Sequence, residues 1–257
     1  MYHPYPALYQ ANFDVDPLAW SIPLDKHHCG QFSMAAVQSN VNMEDHSEVK
    51  VGNGALFVGV YDGYKGHVQE NDNNMSLDIP RKVVSEIETG FIEFARRHYV
   101  QLGQPKIGIV SSGCLICIIE RRTLYLANVG DSRAILGSKM GIGPFKRLCV
   151  KQMARDHSCN NQNIRDELAV LHDDNWICNY NDGAWRVRNT SSETSRCIGN
   201  AYMKKAPPFT TWTSYKVPWR EDVLSTFTRP LLSAEPEIYS RVLKDTDRFI
   251  IFGSGGF

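Results

Sequence analysis

The chain has 257 residues, enough for one large domain or two small ones, and its 42% hydrophobic content supplies a full core and excludes global disorder. Its 28 basic and 28 acidic residues cancel, so it lacks the basic excess of a nucleic-acid binder. No apolar run reaches membrane-span length, the start Met1-Tyr2-His3-Pro4 lacks a signal-peptide pattern, and Tyr2 excludes N-myristoylation. These features predict a cytoplasmic or nuclear protein with no nucleic-acid partner and no membrane insertion.

Residues 1–25 carry Pro, Tyr and Asp without a steady period and read as an N-terminal arm to a single domain over 26–257. Residues 31–38 alternate loosely and predict a strand. The polar stretch that follows, 40–47, holds the adjacent carboxylates Glu44 and Asp45. Leu56 to Tyr61 is almost continuously apolar, as in a strand buried on both faces, and Asp62-Gly63 closes it as a tight turn. Asp-Gly is a common turn pair, but a carboxylate at the lip of a sheet is within reach of an oxygen-seeking divalent cation.

After a polar loop over 67–78, Pro80 opens a helix whose apolar stripe is Val83, Val84, Ile87, Phe91, Phe94 and Ala95. It closes at Gly103-Gln104-Pro105. Runs at 114–119, 124–129 and 132–136 predict an antiparallel meander. A second helix is predicted over 161–172, a short strand at Trp185-Arg186-Val187, and a long surface excursion over 204–232. Arg248 to Phe252 reads as a last buried strand. Of the seven cysteines, Cys114 and Cys117 have the spacing of a metal pair. In a strand, residues three apart face opposite sides, so both read as reduced core thiols of a reducing compartment.

The order of motifs is more specific than any one of them. Met43-Glu44-Asp45, the run from Phe57 to Gly63, the run from Ala127 to Ala134, Asp156-His157, Ser195-Arg196-Cys197-Ile198-Gly199 and the run from Phe249 to Phe252 follow in sequence. Together they resemble the metal-dependent protein phosphatase 2C family, and Leu171-His172-Asp173-Asp174 with Tyr202-Met203-Lys204-Lys205 is similar to its plant branch. The resemblance implies an α+β fold, a central antiparallel β-sandwich flanked by helices. It also implies Mn²⁺ or Mg²⁺ cofactors, phosphoprotein substrates or protein kinases as partners, and a two-metal centre at one end of the sandwich. By that resemblance Asp62 bridges the cations, Gly63 offers its carbonyl, Glu44 acts through bound water and Asp156 holds a further, weaker ion.

Other positions depart from the family pattern. Tyr64 replaces the family's proton-donating His, and a phenol titrates too high for that task. Asn200 replaces an Asp, Gly255 stands where a direct metal-ligand Asp belongs, and Asn40 stands where many members place an Arg. The family's terminal Asp lies past Phe257, so the resemblance reads as a domain incomplete at its C-terminus and of marginal stability. The expected function is a catalytically inactive pseudophosphatase. The alternatives are a weak Ser/Thr phosphatase with a rearranged metal site, and a non-enzymatic interaction module.

Overall fold

The computed structural model describes residues 19–27, 30–37, 45–52, 54–64, 78–174, 176–188, 190, 192–204 and 229–255. Residues 1–18, Asn40, Met43, Glu44, residues 67–77 of the predicted loop and residues 205–228 of the predicted 204–232 surface excursion lie outside them. Leu231 and Leu232, at the end of that excursion, are buried in the core instead of lying on the surface.

In chain order the elements are β1 (Ala19–His27), β2 (Gly30–Val37), β3 (His46–Val51), β4 (Ala55–Tyr61), β5 (Gly63–Tyr64), α1 (Asp78–Leu102), β6 (Ser111–Ser112), β7 (Cys114–Glu120), β8 (Thr123–Val129), β9 (Arg133–Met140) and β10 (Arg147–Gln152). There follow α2 (Gln162–His172), β11 (Cys178–Asn181), β12 (Ala184–Val187), β13 (Ile198–Gly199), β14 (Glu237–Val242) and β15 (Asp247–Gly253). A five-stranded antiparallel sheet has the order β14-β8-β7-β4-β3, and a three-stranded one the order β10-β9-β15. β1 pairs with β2 and runs across residue 25, a strand that the aperiodic sequence there did not announce.

Side-chain alternation explains the layers. From the five-stranded sheet, Leu56, Val58, Leu115, Cys117, Leu124 and Leu126 face Ala134, Leu136, Ile250 and Phe252 of the three-stranded sheet, forming the sandwich core. The opposite face, with Cys114, Ile116, Ile118, Ala127 and Val129, packs on Val84, Phe91 and Ala95 of α1. Cys114 and Cys117 thus point to opposite sides, as the strand period requires. A third cluster gathers Ile164 and Leu168 of α2 with Ile177, Val187, Leu231 and Leu232.

Three sequence expectations are corrected. The meander ends after β8: β9 pairs with β10 and β15 instead. Gly130, at φ +104°, turns the chain across to the other sheet, where Ala134 and Leu136 face the core. The last strand is half-buried, since Ile250 and Phe252 point inward while Phe249 and Ile251 are exposed. Phe94, placed on the helix's apolar stripe, is also exposed and packs tilted against the His98 ring with centroids 3.9 Å apart.

Candidate functional site

The strand ends meet at one end of the sandwich. Asp62 leaves β4 and exchanges backbone hydrogen bonds with Gly113, whose N–H donates to the Asp62 carbonyl at 2.7 Å. A side chain on Gly130 would begin 3.0 Å from the Gly113 Cα, so these two glycines let the β4, β7 and β8 ends crowd together. The His157 N–H donates to the Gly130 carbonyl at 2.8 Å, and the Ser195 N–H to the His157 carbonyl at 2.9 Å. Asp131, Asp156 and the Ser195 segment are thereby fixed beside Asp62.

Gly255, just past β15, completes the cluster. Its N–H donates to Asp62 Oδ2 at 2.6 Å. A Cβ at this position would stand 2.7 Å from both Asp62 Oδ2 and Asp131 Oδ2. The backbone itself is wedged between two carboxylates. Asp45 stands opposite Asp62 as well, because the pairing of His46 with Tyr61 carries it there, and its charge acts on Asp62. Asp156 is held by Arg133, whose Nε donates to Oδ2 at 3.1 Å.

Burial pushes the Asp62 carboxyl up from 3.8 to about 6; the Gly255 N–H pulls it down, and the charges of Asp45 and Asp131 push it further up. Burial also raises Asp131, with the Asp156 charge adding to the rise. In the other direction, burial and then the Arg196 charge drive His157 down to about 4, so it stays neutral through the physiological range.

The Asp62 shift has a defined sign. Its folded pKa lies above the unfolded one, so its stabilising contribution is complete below 3.8 and lost as pH rises through about 6. Above that, the ionised carboxylate costs the fold roughly 1–3 kcal/mol, allowing for partial exposure. Asp62→Asn, whose amide oxygen still accepts from Gly255, is expected to gain that amount in urea titrations near pH 7.5 and nothing near pH 3.5. An equal gain at both pH values would assign the effect to packing.

The other residues marked in the sequence are dispersed by comparison. Gly63 and Tyr64 form β5, paired with Ser112 and Ser111. Asn200 is buried at φ +53°, donates its N–H to Val110 at 2.7 Å, and its Oδ1 has no partner among the described residues. Glu44 lies outside the described residues. No group of three or more His, Cys, Asp or Glu side chains among the described residues has the geometry to hold a metal ion. Sequence reasoning missed the Gly255 contact, since a glycine carries no side-chain signal, and missed Glu88. The Glu88 carboxylate accepts from the Gly199 N–H and from Lys204 Nζ, each at 2.8 Å, tying the β13 loop to α1.

Two antiparallel sheets over one core, with a helical layer and carboxylates gathered at the strand ends, define an α+β sandwich with an acidic site. The family model described as Protein phosphatase 2C matches residues 20–257. "Probable protein phosphatase 2C 68" of Arabidopsis thaliana is 40% identical over 94% of the chain, and "Probable protein phosphatase 2C 43" of Oryza sativa subsp. japonica 38% identical over 94%. The chain spans 64% of the length of each of these relatives. Among solved structures, a C. elegans sex determining protein aligns at TM-score 0.55 and 16% identity, covering 91% of this chain and 50% of that one. A serine-threonine phosphatase 2C from Toxoplasma gondii aligns at TM-score 0.52 and 12% identity, covering 91% and 76%. The chain belongs to the protein phosphatase 2C family, in its plant branch.

Proposed function

We propose that this chain is a non-hydrolysing phosphatase 2C domain in which a backbone hydrogen bond stands where the family's cations bind. Members of the family act on phosphoproteins and depend on Mn²⁺ or Mg²⁺. The observation that carries the proposal is the Gly255 N–H on Asp62 Oδ2 at 2.6 Å. An N–H aimed at a carboxylate oxygen presents a positive end where a cation would approach and uses the lone pair it would take.

The neighbouring positions point the same way. Gly255 supplies no carboxylate, Asn200 has lost one, and Asp156 already has Arg133 as its counter-ion. Small hard cations need several anionic oxygens to offset dehydration. Asp62 with the Gly63 carbonyl, helped by Glu44 and Asp156, amounts to a weak single-ion site. The residues present do not fit a bridged pair of cations. Tyr64 in place of His also removes the acid that would protonate a leaving alkoxide. In this role the chain binds phosphoproteins or protein kinases in the cytoplasm or nucleus without turning them over.

The test is hydrolysis of a phosphothreonine peptide in millimolar Mn²⁺ or Mg²⁺, beside a full-length plant relative. Turnover is expected below roughly a hundredth of the relative's rate. Turnover within about tenfold of it, abolished by Asp62→Ala, would overturn the proposal.

A further inference from the structure

Outside the carboxylate cluster, one pair of reactive groups is placed face to face. We propose that Cys159 and Cys178 are a thiol modification site that closes into a reversible internal disulfide when the protein meets a hydroperoxide. The two Sγ atoms lie 3.8 Å apart and share one hydrogen bond. A disulfide needs about 2 Å between sulfurs, so rotations of the two side chains with a small backbone adjustment bring them together.

Both cysteines sit on fixed backbone. Cys178 is the first residue of β11, and Cys159 lies two residues before Asn161, the N-cap of α2. The Cys159 N–H donates to the Glu193 carbonyl at 2.7 Å. Arg165, one turn into α2, donates to the carbonyls of Cys159 at 2.6 Å and Asn160 at 2.9 Å. Its guanidinium rests 4.2 Å from the centre of the Trp185 ring, so its charge is held beside both thiols.

This arrangement differentiates the two sulfurs. The hydrogen bond shared with Cys159 pulls the Cys178 thiol below its ordinary value, and the Arg165 charge adds to the fall. The same hydrogen bond, followed by burial, raises Cys159. The exposure of the two sulfurs assigns their order, with Cys178 the thiol that meets the hydroperoxide and Cys159 the resolving thiol. Cys178 is 6% exposed at the margin of its cluster, whereas Cys159 is fully covered. The remaining buried thiols lack this setting: Cys197 is pushed up to about 11 by burial, and Cys114 and Cys117 face opposite sides of a sheet.

The chemistry balances with the hydroperoxide as oxidant. The Cys178 thiolate attacks the terminal peroxide oxygen; the O–O bond breaks, the leaving oxygen takes a proton, and Cys178 becomes a sulfenic acid. Cys159 sulfur then attacks the Cys178 sulfur, its proton goes to the departing hydroxide, and water leaves as the S–S bond forms. In total two thiols and one H₂O₂ give one disulfide and two waters. The closed bond links the lead-in of α2 to β11 across the third core cluster.

The native full chain, reduced and then treated with H₂O₂, is mapped by non-reducing peptide mass spectrometry. The expected result is loss of two free thiols, a Cys159–Cys178 linked peptide two hydrogens lighter than the reduced pair, and reversal by dithiothreitol. The oxidised chain should melt several degrees above the reduced one, roughly as a loop closure of this length implies. Cys178→Ser should abolish this redox-dependent shift, and Cys197→Ser should retain it. A different linked pair, irreversible sulfinic acid at Cys178 without linkage, or linkage that appears only in urea would overturn the proposal; the mapping needs no variant.

Discussion

Asn128→Leu is expected to remove about 2–5 kcal/mol of stability, a large part of what a domain of this size has. Asn128 is completely buried at the penultimate position of β8. Its Nδ2 donates to the Ser132 carbonyl at 3.2 Å and the Arg155 carbonyl at 3.1 Å. Those two bonds hold the turn that carries Gly130 and Asp131 against the segment that carries Asp156. Leu has a similar volume but no donor, so both carbonyls lose their Asn128 partner, at about 1–3 kcal/mol each. Urea denaturation compares the two proteins directly. A loss under about 1 kcal/mol would mean that water replaces the amide and that the turn does not depend on Asn128.

Elements with strong periodicity were legible, and the reason is local. The 3.6-residue stripe of α1 and the apolar runs of β4, β7 and β8 each specify their own burial, whatever else the chain does. The exposed or edge strands were not legible. β3 lies at the edge of its sheet, and β10 is exposed along almost its whole length, so neither shows an apolar run. The departure of β9 into the second sheet depended on the φ of one glycine, which composition does not report.

The site was legible in its residue types and illegible in its contacts. Asp62, Asp131 and Asp156 were marked by their motifs, yet the partner of Asp62 is a backbone N–H 193 positions away. Asp45 was visible as one of two adjacent carboxylates, but only the β3–β4 register decides that Asp45 meets Asp62. Substitution of Gly at 255 reads in sequence as a missing ligand. In the fold its backbone N–H also lies against Asp62 Oδ2.

Gly255→Asp is therefore expected to act in opposite directions with and without a cation. In chelator, the new Cβ has to displace two carboxylate oxygens that lie 2.7 Å from its position. The added carboxylate joins a cluster in which Asp62 and Asp131 are both already pushed up, and like charges crowded together disfavour ionisation further. Steric displacement and repulsion together should cost about 1–3 kcal/mol near pH 7.5. That cost should shrink as pH falls through about 6, where Asp62 takes up its proton. Adding Mn²⁺ reverses the sign, because three clustered carboxylates form a far better hard-cation site than two. The melting midpoint of the variant should climb with Mn²⁺ concentration as mass action requires, while that of the parent chain, with only a weak single-ion site, moves little. Peptide hydrolysis should remain absent in the variant, since Tyr64 still stands in place of the acid and one added ligand does not bridge two ions. A parent chain whose midpoint rises with Mn²⁺ as steeply as the variant's would show that the Gly255 N–H gives way to a cation, and robust turnover by Gly255→Asp alone would show that the site lacked only one carboxylate.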